Sequence, residues 1–258
     1  MLSYQHIYHA GNLADVHKHT LLAWMLAYLT RKDKPLSYIE THAGRGLYNL
    51  SDQAALKTGE AARGISSNVS FFEDNHPLAT VLENIRKTDG AQAYAGSPMI
   101  AASLLRPGDS IHLAELHPTE YEALRYSMAA TQAKCYARDG FDLAHSLCPP
   151  TPRRGMLLID PSYEIKTDYA DLPKHITKLA KAWNVGIITL WYPVLKVSAH
   201  RGMIRELHSA FPEALRHEVS FPPAREGHGM IGSGLFVINP PFGLEKEAER
   251  LGQVFKSL

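Results

Sequence analysis

Residues 155–163 read Gly155-Met156-Leu157-Leu158-Ile159-Asp160-Pro161-Ser162-Tyr163. The run from Met156 to Ile159 is wholly apolar, the pattern of a strand buried in a parallel sheet. Asp160-Pro161-Ser162-Tyr163 then stops it. A carboxylate, a proline of fixed φ and an aromatic ring thus stand at a strand's C-terminal end, where open α/β sheets place their ligands. Taken alone, the tetrapeptide is equally an Asp-Pro turn followed by a tyrosine packed on the core.

Working outward, the same rhythm of strand and helix recurs. A strand over 36–40 runs into Thr41-His42-Ala43-Gly44-Arg45-Gly46. Its Gly-x-Gly turn lets a ligand approach the backbone, because no Cβ blocks it, but a structural tight turn fits as well. The third glycine of the dinucleotide fingerprint is missing, and so is the Walker lysine. Further strands are expected over 110–114, ending in Glu115, and over 134–137, ending in Arg138-Asp139-Gly140. A fifth runs over 185–191 into Trp191-Tyr192-Pro193. The last two, 215–221 and 234–239, flank a glycine-rich loop over 227–234. Helices are predicted from an Asn12 cap to about residue 32, over 118–128, 170–183 and 198–210, and after Pro240-Pro241-Phe242. Ser97 is placed as an N-cap with Pro98 at N1. Residues 47–93 break the rhythm. They hold one helix near 77–87, with Leu78, Val81, Leu82 and Ile85 on one face, and read as a small helical insertion over the sheet's C-terminal edge. The alternation as a whole argues for one doubly wound α/β domain spanning 1–258.

Composition narrows the function classes. The chain has 258 residues, 45% of them hydrophobic, so a full core is available. A formal net charge of +1 announces no broad field for nucleic acid, though a local patch remains open. Cys135 and Cys148 suggest no disulfide framework, and a reducing cytosol is the expected compartment. The opening lacks the charged and apolar regions of a signal peptide. The longest apolar run, 21–29, is too short to span a bilayer. A monomer is the favoured state.

Several residues carry two readings. His6, His9, His17 and His19 invite a metal, but His17-x-His19 sets the rings apart around a helix and no Cys or acidic set accompanies them, so no metal site is expected. Lys18 and His19 otherwise form a solvated helix end. Glu115 stands where an acid accepts from ribose hydroxyls. Asp139 is a turn residue or an acceptor for an adenine amino group. Arg153 and Arg154 touch phosphate or are solvated.

Gly-x-Gly after the first strand, Glu115 after the second, Asp139-Gly140 after the third and Asp160-Pro161-x-Tyr163 after the fourth together resemble a class I S-adenosylmethionine-dependent amino-methyltransferase. The opening M-L-S-Y, then H-A-G-N-x-A-D-V-x-K-H-T, T-H-A-G-x-G, G-S-P, E-L-H-P, D-P-x-Y-E-x-K-T-D-Y, L-W-Y-P and I-N-P-P resemble one family more closely. It is the bacterial family that methylates an adenine amino group in 23S ribosomal RNA, whose homologues are also labelled as involved in using external DNA. The likeness implies a Rossmann-like sheet, mostly parallel with an antiparallel last strand, and S-adenosyl-L-methionine as cofactor. It further implies that Lys18, His19, His42, Ser97, Glu115, Asp139, Gly140 and Asp160 face that cofactor, with Gly44 and Gly46 suited to its methionine moiety. By the same likeness Asp160, Pro161 and Tyr163 are catalytic, and Tyr4 contacts the RNA. The sequence departs from the pattern at Ser162, where the family has a second proline, and at Glu40, where it usually has Asp. The competing expectations are a DNA adenine methyltransferase and a catalytically degenerate binding protein.

Overall fold

The computed structural model describes residues 4–67, 69–165, 167–224 and 229–258. In chain order the elements are α1 (Leu13–Thr30), β1 (Ser37–Glu40), β2 (Leu47–Asn49), α2 (Gln53–Thr58), α3 (Glu60–Arg63), α4 (Pro77–Asp89), β3 (Ala93–Ala95) and α5 (Ser97–Leu104). There follow β4 (Ser110–Ala114), α6 (Pro118–Ser127), β5 (Ala133–Tyr136), α7 (Gly140–Leu147) and β6 (Gly155–Ile159). The chain ends with α8 (Asp168–Ala182), β7 (Ile187–Leu195), α9 (His200–Ala210), β8 (Leu215–Ser220), β9 (Met230–Ile238) and α10 (Leu244–Lys256).

Seven strands form one sheet in the order β5-β4-β1-β6-β7-β9-β8. All neighbours are parallel except those of β9, which runs antiparallel to both β7 and β8. The order reverses beside β1 and β6, and the ligand crevice of such a sheet opens where it reverses. The apolar run of β6 splits by strand period. Met156 and Leu158 enter one core with α1, α5 and α10, while Leu157 and Ile159 enter the other with α8 and α9. Helices thus cover both faces, as the alternation of elements requires.

Helix α1 departs from a simple amphipathic surface helix: thirteen of its eighteen residues are buried. Asn12 caps it, its side chain accepting from Asp15 N at 2.8 Å. It is buried all round because β9 and α10 lie on one side and α4 and α5 on another. Lys18 and His19 are 4% and 1% exposed, so the solvated helix end is overturned.

The stretch between β1 and α5 holds more than helices. β2 and β3 pair antiparallel, Leu47 opposite Ala95 and Asn49 opposite Ala93, and form the base from which α2, α3 and α4 project. α4 buries the four residues expected of it. Other expectations need correction. Ser97 is no side-chain cap: Gly96 occupies the N-cap, and the Ser97 hydroxyl donates to Glu40 instead. Strand β7 runs on through Trp191-Tyr192-Pro193 to Leu195. Beyond Leu190 it has β9 but no longer β6 beside it, which is where a strand tolerates proline. β9 likewise absorbs much of the glycine-rich stretch. A Cβ on Gly234 would come within 2.2 Å of the Tyr192 ring, so this glycine serves close strand packing rather than a loop. Gly227 lies outside the described residues. Arg153 and Arg154 lie at the start of β6, away from its C-terminal end. Arg154 donates to the Lys34 and Leu29 carbonyls, and Arg153 to Asn184. Both cysteines are free. Among the described residues no helix is long and apolar enough to cross a membrane.

Candidate active site

The C-terminal ends of β1, β4, β5, β6 and β7 open into a cavity of about 500 Å³. Its walls include Tyr4, Lys18, His19, His42, Gly44, Ser97, Glu115, Asp139, Gly140, Asp160, Pro161 and Tyr163. Gly46 does not line it. That glycine, at φ +76°, packs on α6, where a Cβ would come within 2.9 Å of Ser127 Oγ, and its carbonyl accepts from Gly96 N. Its expected place beside a ligand is therefore overturned.

At the end of β6, Asp160 Oδ2 accepts from Lys18 Nζ at 2.5 Å. Lys18 also reaches Asp15 Oδ1 at 3.1 Å. Burial alone would depress the Lys18 ammonium, but the Asp160 and Asp15 carboxylates outweigh it and hold it above the ordinary lysine value. Asp15 is 1% exposed. It accepts from Gly11 N at 2.9 Å and from His6 Nε2 at 2.8 Å, and Tyr4 Oη bonds His6 Nδ1 at 2.8 Å. Burial would raise the Asp15 carboxyl; His6 and Lys18 overcome that and keep it well below its usual range. A continuous chain thus runs Tyr4–His6–Asp15–Lys18–Asp160. In it Lys18 bridges two carboxylates, Asp15 and Asp160, at the cavity wall.

The three successive residues His17, Lys18 and His19 diverge because each helical step turns the side chain by about 100°. Lys18 meets Asp160, His19 Nδ1 bonds Tyr94 Oη at 2.7 Å, and His17 points to β8 and β9. Burial drives His19 down to about 3, so it is neutral. His17 and His19 therefore face different partners. Among the described residues no group of three or more His, Cys, Asp or Glu is placed to hold a metal ion.

Tyr163 adopts φ +58°, rare for a bulky residue. Its hydroxyl donates to the Trp191 carbonyl at 2.7 Å, and its ring lies 4.8 Å from that of Tyr169. Along the neighbouring strand tips, Glu115 accepts from Gly44 N and His117 N, both at 2.8 Å, and burial raises its carboxyl. Gly44, at φ +62°, leaves no room for a side chain: a Cβ would lie 2.4 Å from Tyr48 Oη. Asp139 caps α7, accepting from Phe141 N and Asp142 N at 2.8 and 2.9 Å. His42 bonds Thr41 Oγ1 at 2.7 Å, and burial lowers it. Behind them Glu40 is fully buried and takes the hydroxyls of Ser97 and Tyr38. Burial lifts it to about 8, although both hydrogen bonds oppose this.

Three participants carried no assigned role in the sequence. Asp15 had a visible signal, since it stands three and four residues before Lys18 and His19 on one helix. Trp191 was flagged only by its place at a strand end. Phe141, whose ring meets His42 edge-on at 5.7 Å, had none.

The donor set suits a cationic sulfonium nucleoside. Carboxylates stand at the tips of β6 and β4, Asp160 and Glu115, and the backbone of Gly44 lines the cavity beside Glu115. The comparisons point the same way. A family model described as Ribosomal RNA large subunit methyltransferase D, RlmJ, matches residues 33–258. Ribosomal RNA large subunit methyltransferase J of Escherichia coli (strain K12) is 40% identical over 254 residues, covering 96% of this chain and 90% of that protein. The protein of the same description from Haemophilus influenzae is 38% identical over 259 residues, covering 97% and 92%. A crystal structure of a Legionella pneumophila protein superposes with a TM-score of 0.86 at 35% identity, covering 96% and 93%.

Proposed function

Because the chain belongs to the family described as Ribosomal RNA large subunit methyltransferase D, RlmJ, we propose that it transfers a methyl group from S-adenosyl-L-methionine to the exocyclic N6 amino group of an adenine in 23S ribosomal RNA. The observation that carries the assignment is Asp160, presented at the end of β6 with Lys18 bound to one oxygen and the Pro161 carbonyl next in the chain.

Glu115 is assigned to the ribose hydroxyls, Asp139 to the adenine amino group, and Gly44, His42, Ser97 and His19 to the surrounding wall. The bound cofactor supplies an electrophilic methyl group on a sulfonium. Gly140 keeps α7 close to the β1 tip, where a Cβ would lie 2.0 Å from Thr41 O. Lys18 holds Asp160 by Oδ2 and leaves Oδ1 for the substrate.

An adenine amino nitrogen is a poor nucleophile, because its lone pair is delocalised into the ring. Asp160 Oδ1 and the Pro161 carbonyl accept its two hydrogens and draw the nitrogen toward tetrahedral geometry, in line with the methyl. Positive charge would grow on that nitrogen as its bond to carbon forms and the carbon–sulfur bond breaks, leaving a neutral thioether, and the Asp160 carboxylate stabilises that charge and takes the surplus proton at Oδ1. Tyr163 stacks on the base, an interaction worth roughly 1–3 kcal/mol. A base held in a helix cannot enter this cavity, so the target adenine is unpaired or flipped. Tyr4 stands across from it, its amide donating to Glu164 at 3.1 Å and its ring stacked on His9, and is assigned to the RNA.

The deciding experiment follows labelled methyl from S-adenosylmethionine into protein-free, unmodified 23S ribosomal RNA, with an adenine-rich DNA and Asp160→Ala in parallel. Label in the RNA alone, lost in Asp160→Ala while calorimetry still detects cofactor binding, is the expected result. Label in the DNA would move the substrate class, and turnover in Asp160→Ala would remove the mechanism.

A further inference from the structure

The Trp191 side chain is held by a hydrogen-bond chain that the mechanism above does not use. In the β7–β9 register Trp191 faces Leu235 and Pro193 faces Ser233, so Trp191 and Ser233 are diagonal neighbours on one sheet face. Trp191 Nε1–H donates to Ser233 Oγ at 2.9 Å. Ser233 Oγ is 2.8 Å from His17 Nδ1, and His17 Nε2 is 2.9 Å from His217 Nδ1. Ser233 and His17 are both 0% exposed. The Phe255 ring of α10 closes over His17 edge-on at 6.0 Å.

One arrangement of protons satisfies every donor. The indole can only donate, so Ser233 accepts from it and sends its own hydrogen to His17 Nδ1. His17 then carries its proton on Nε2 and gives it to His217 Nδ1. This requires a neutral His17, and burial, reinforced by the adjoining His217, holds that ring well below the ordinary histidine value. At its other end the chain reaches the site. The Lys18 ammonium lies 5.6 Å from the Trp191 ring centroid, and the Tyr163 hydroxyl rests on the Trp191 carbonyl.

We propose that Ser233 and His17 are positioning residues for methyl transfer, acting through Trp191 to fix the surface on which Lys18 and Tyr163 rest. The inference rests on the methyltransferase reading. His17 and Lys18 are consecutive on α1, so the same chain also sets the rotation of the helix that delivers Lys18 to Asp160. Removing the Ser233 hydroxyl leaves the indole N–H and His17 Nδ1 without partners and frees the ring to turn. Glu115 and Asp139, at the other strand tips, are untouched, so cofactor affinity stays.

The test uses the full chain with Ser233→Ala, Ser233→Thr and His17→Asn. In the last, the amide oxygen can accept in place of Nδ1. Three quantities are read: the Trp191 indole proton–nitrogen resonance, assigned by its loss in Trp191→Phe; kcat and KM on 23S ribosomal RNA; and the Kd for S-adenosylmethionine. Ser233→Ala should shift the resonance and lower kcat about tenfold, the scale of a sub-ångström misplacement. Its Kd should stay within about twofold, since an interaction felt only at the reacting centre leaves ground-state binding alone. Ser233→Thr should restore both resonance and rate, and His17→Asn should lose less rate than Ser233→Ala. A wild-type kcat in Ser233→Ala, or a rate loss with the indole resonance unmoved, overturns the proposal. If the wild-type chain transfers no methyl at all, the functional reading fails by itself. The resonance in Ser233→Ala then decides alone, and an unmoved signal overturns the chain.

Discussion

Ser162 stands where the pattern of the resembled family has a second proline. It is half-buried, lines the cavity and leads directly into Tyr163 at φ +58°. A proline there removes a donor and narrows the approach to Tyr163 without adding a buried polar group. Ser162→Pro is expected to keep or raise kcat for rRNA methylation, and a large loss would show that the serine hydroxyl has its own role. Glu40 gives a second test. Its carboxyl is lifted by burial to about 8, above its unfolded value near 4.3, so the folded state holds the extra proton between those limits. The stability it lends is complete below about pH 4.3 and is lost as pH rises through 8. Glu40→Gln should therefore change the Tm little at pH 5 and raise it relative to wild type at pH 8.5, read by thermal melts. Site residues were legible in the sequence where a strand presented them. Asp160, Glu115 and Asp139 each follow a strand within a few residues, and strand ends are where such sheets bind. The capping role of Ser97 and the place of Gly46 were misread because a serine before proline and a Gly-x-Gly turn look alike in sequence whether they serve a helix start, a ligand, a buried Glu40 or the side of α6.

Among the elements, α7 shows how closely the site depends on packing. Its first residue, Gly140, sits against the backbone of Thr41, and a Cβ would meet that carbonyl at 2.0 Å. Backbone on one side and sheet on the other cannot yield as a flexible side chain would. Gly140→Ala should lower stability by about 1–3 kcal/mol, as overpacking commonly does, and weaken S-adenosylmethionine binding by moving Asp139. Calorimetry and a melt check both. α1 offers the complementary case. Asp15→Asn removes one of two carboxylates from a buried lysine, and breaking such a pair costs on the order of 3 kcal/mol. The existence and start of α1 were readable from Asn12 and the apolar spacing. Its burial all round was not, because periodicity reports a face and cannot say that an insertion will cover the opposite one. The β2–β3 base of that insertion was invisible for a related reason. Each strand has three residues, too few to show alternation, and the partners are separated by the whole insertion.

At the scale of the molecule, a net charge of +1 on a chain assigned to ribosomal RNA implies recognition by shape and base contact more than by field. The logarithm of RNA affinity should fall with the logarithm of salt at a slope no steeper than about −3, as few phosphates are neutralised. A titration between low and moderate salt measures it. The order of the fold was legible because strands and helices alternate. What stayed hidden was the distance over which its parts meet. His17 finds its partners 200 and 216 positions further along the chain, and α1 lies against β9 and α10. α1 therefore leaves the ribosome long before part of its cover is made. At about 5–20 residues per second, α1 waits roughly 10–40 s for the strand that shields it. A protein assigned to ribosomal RNA thus spends much of its own birth tethered to a ribosome with the β9 and α10 side of a largely buried helix uncovered, so its yield in a cell should depend on the chaperones stationed at the exit tunnel.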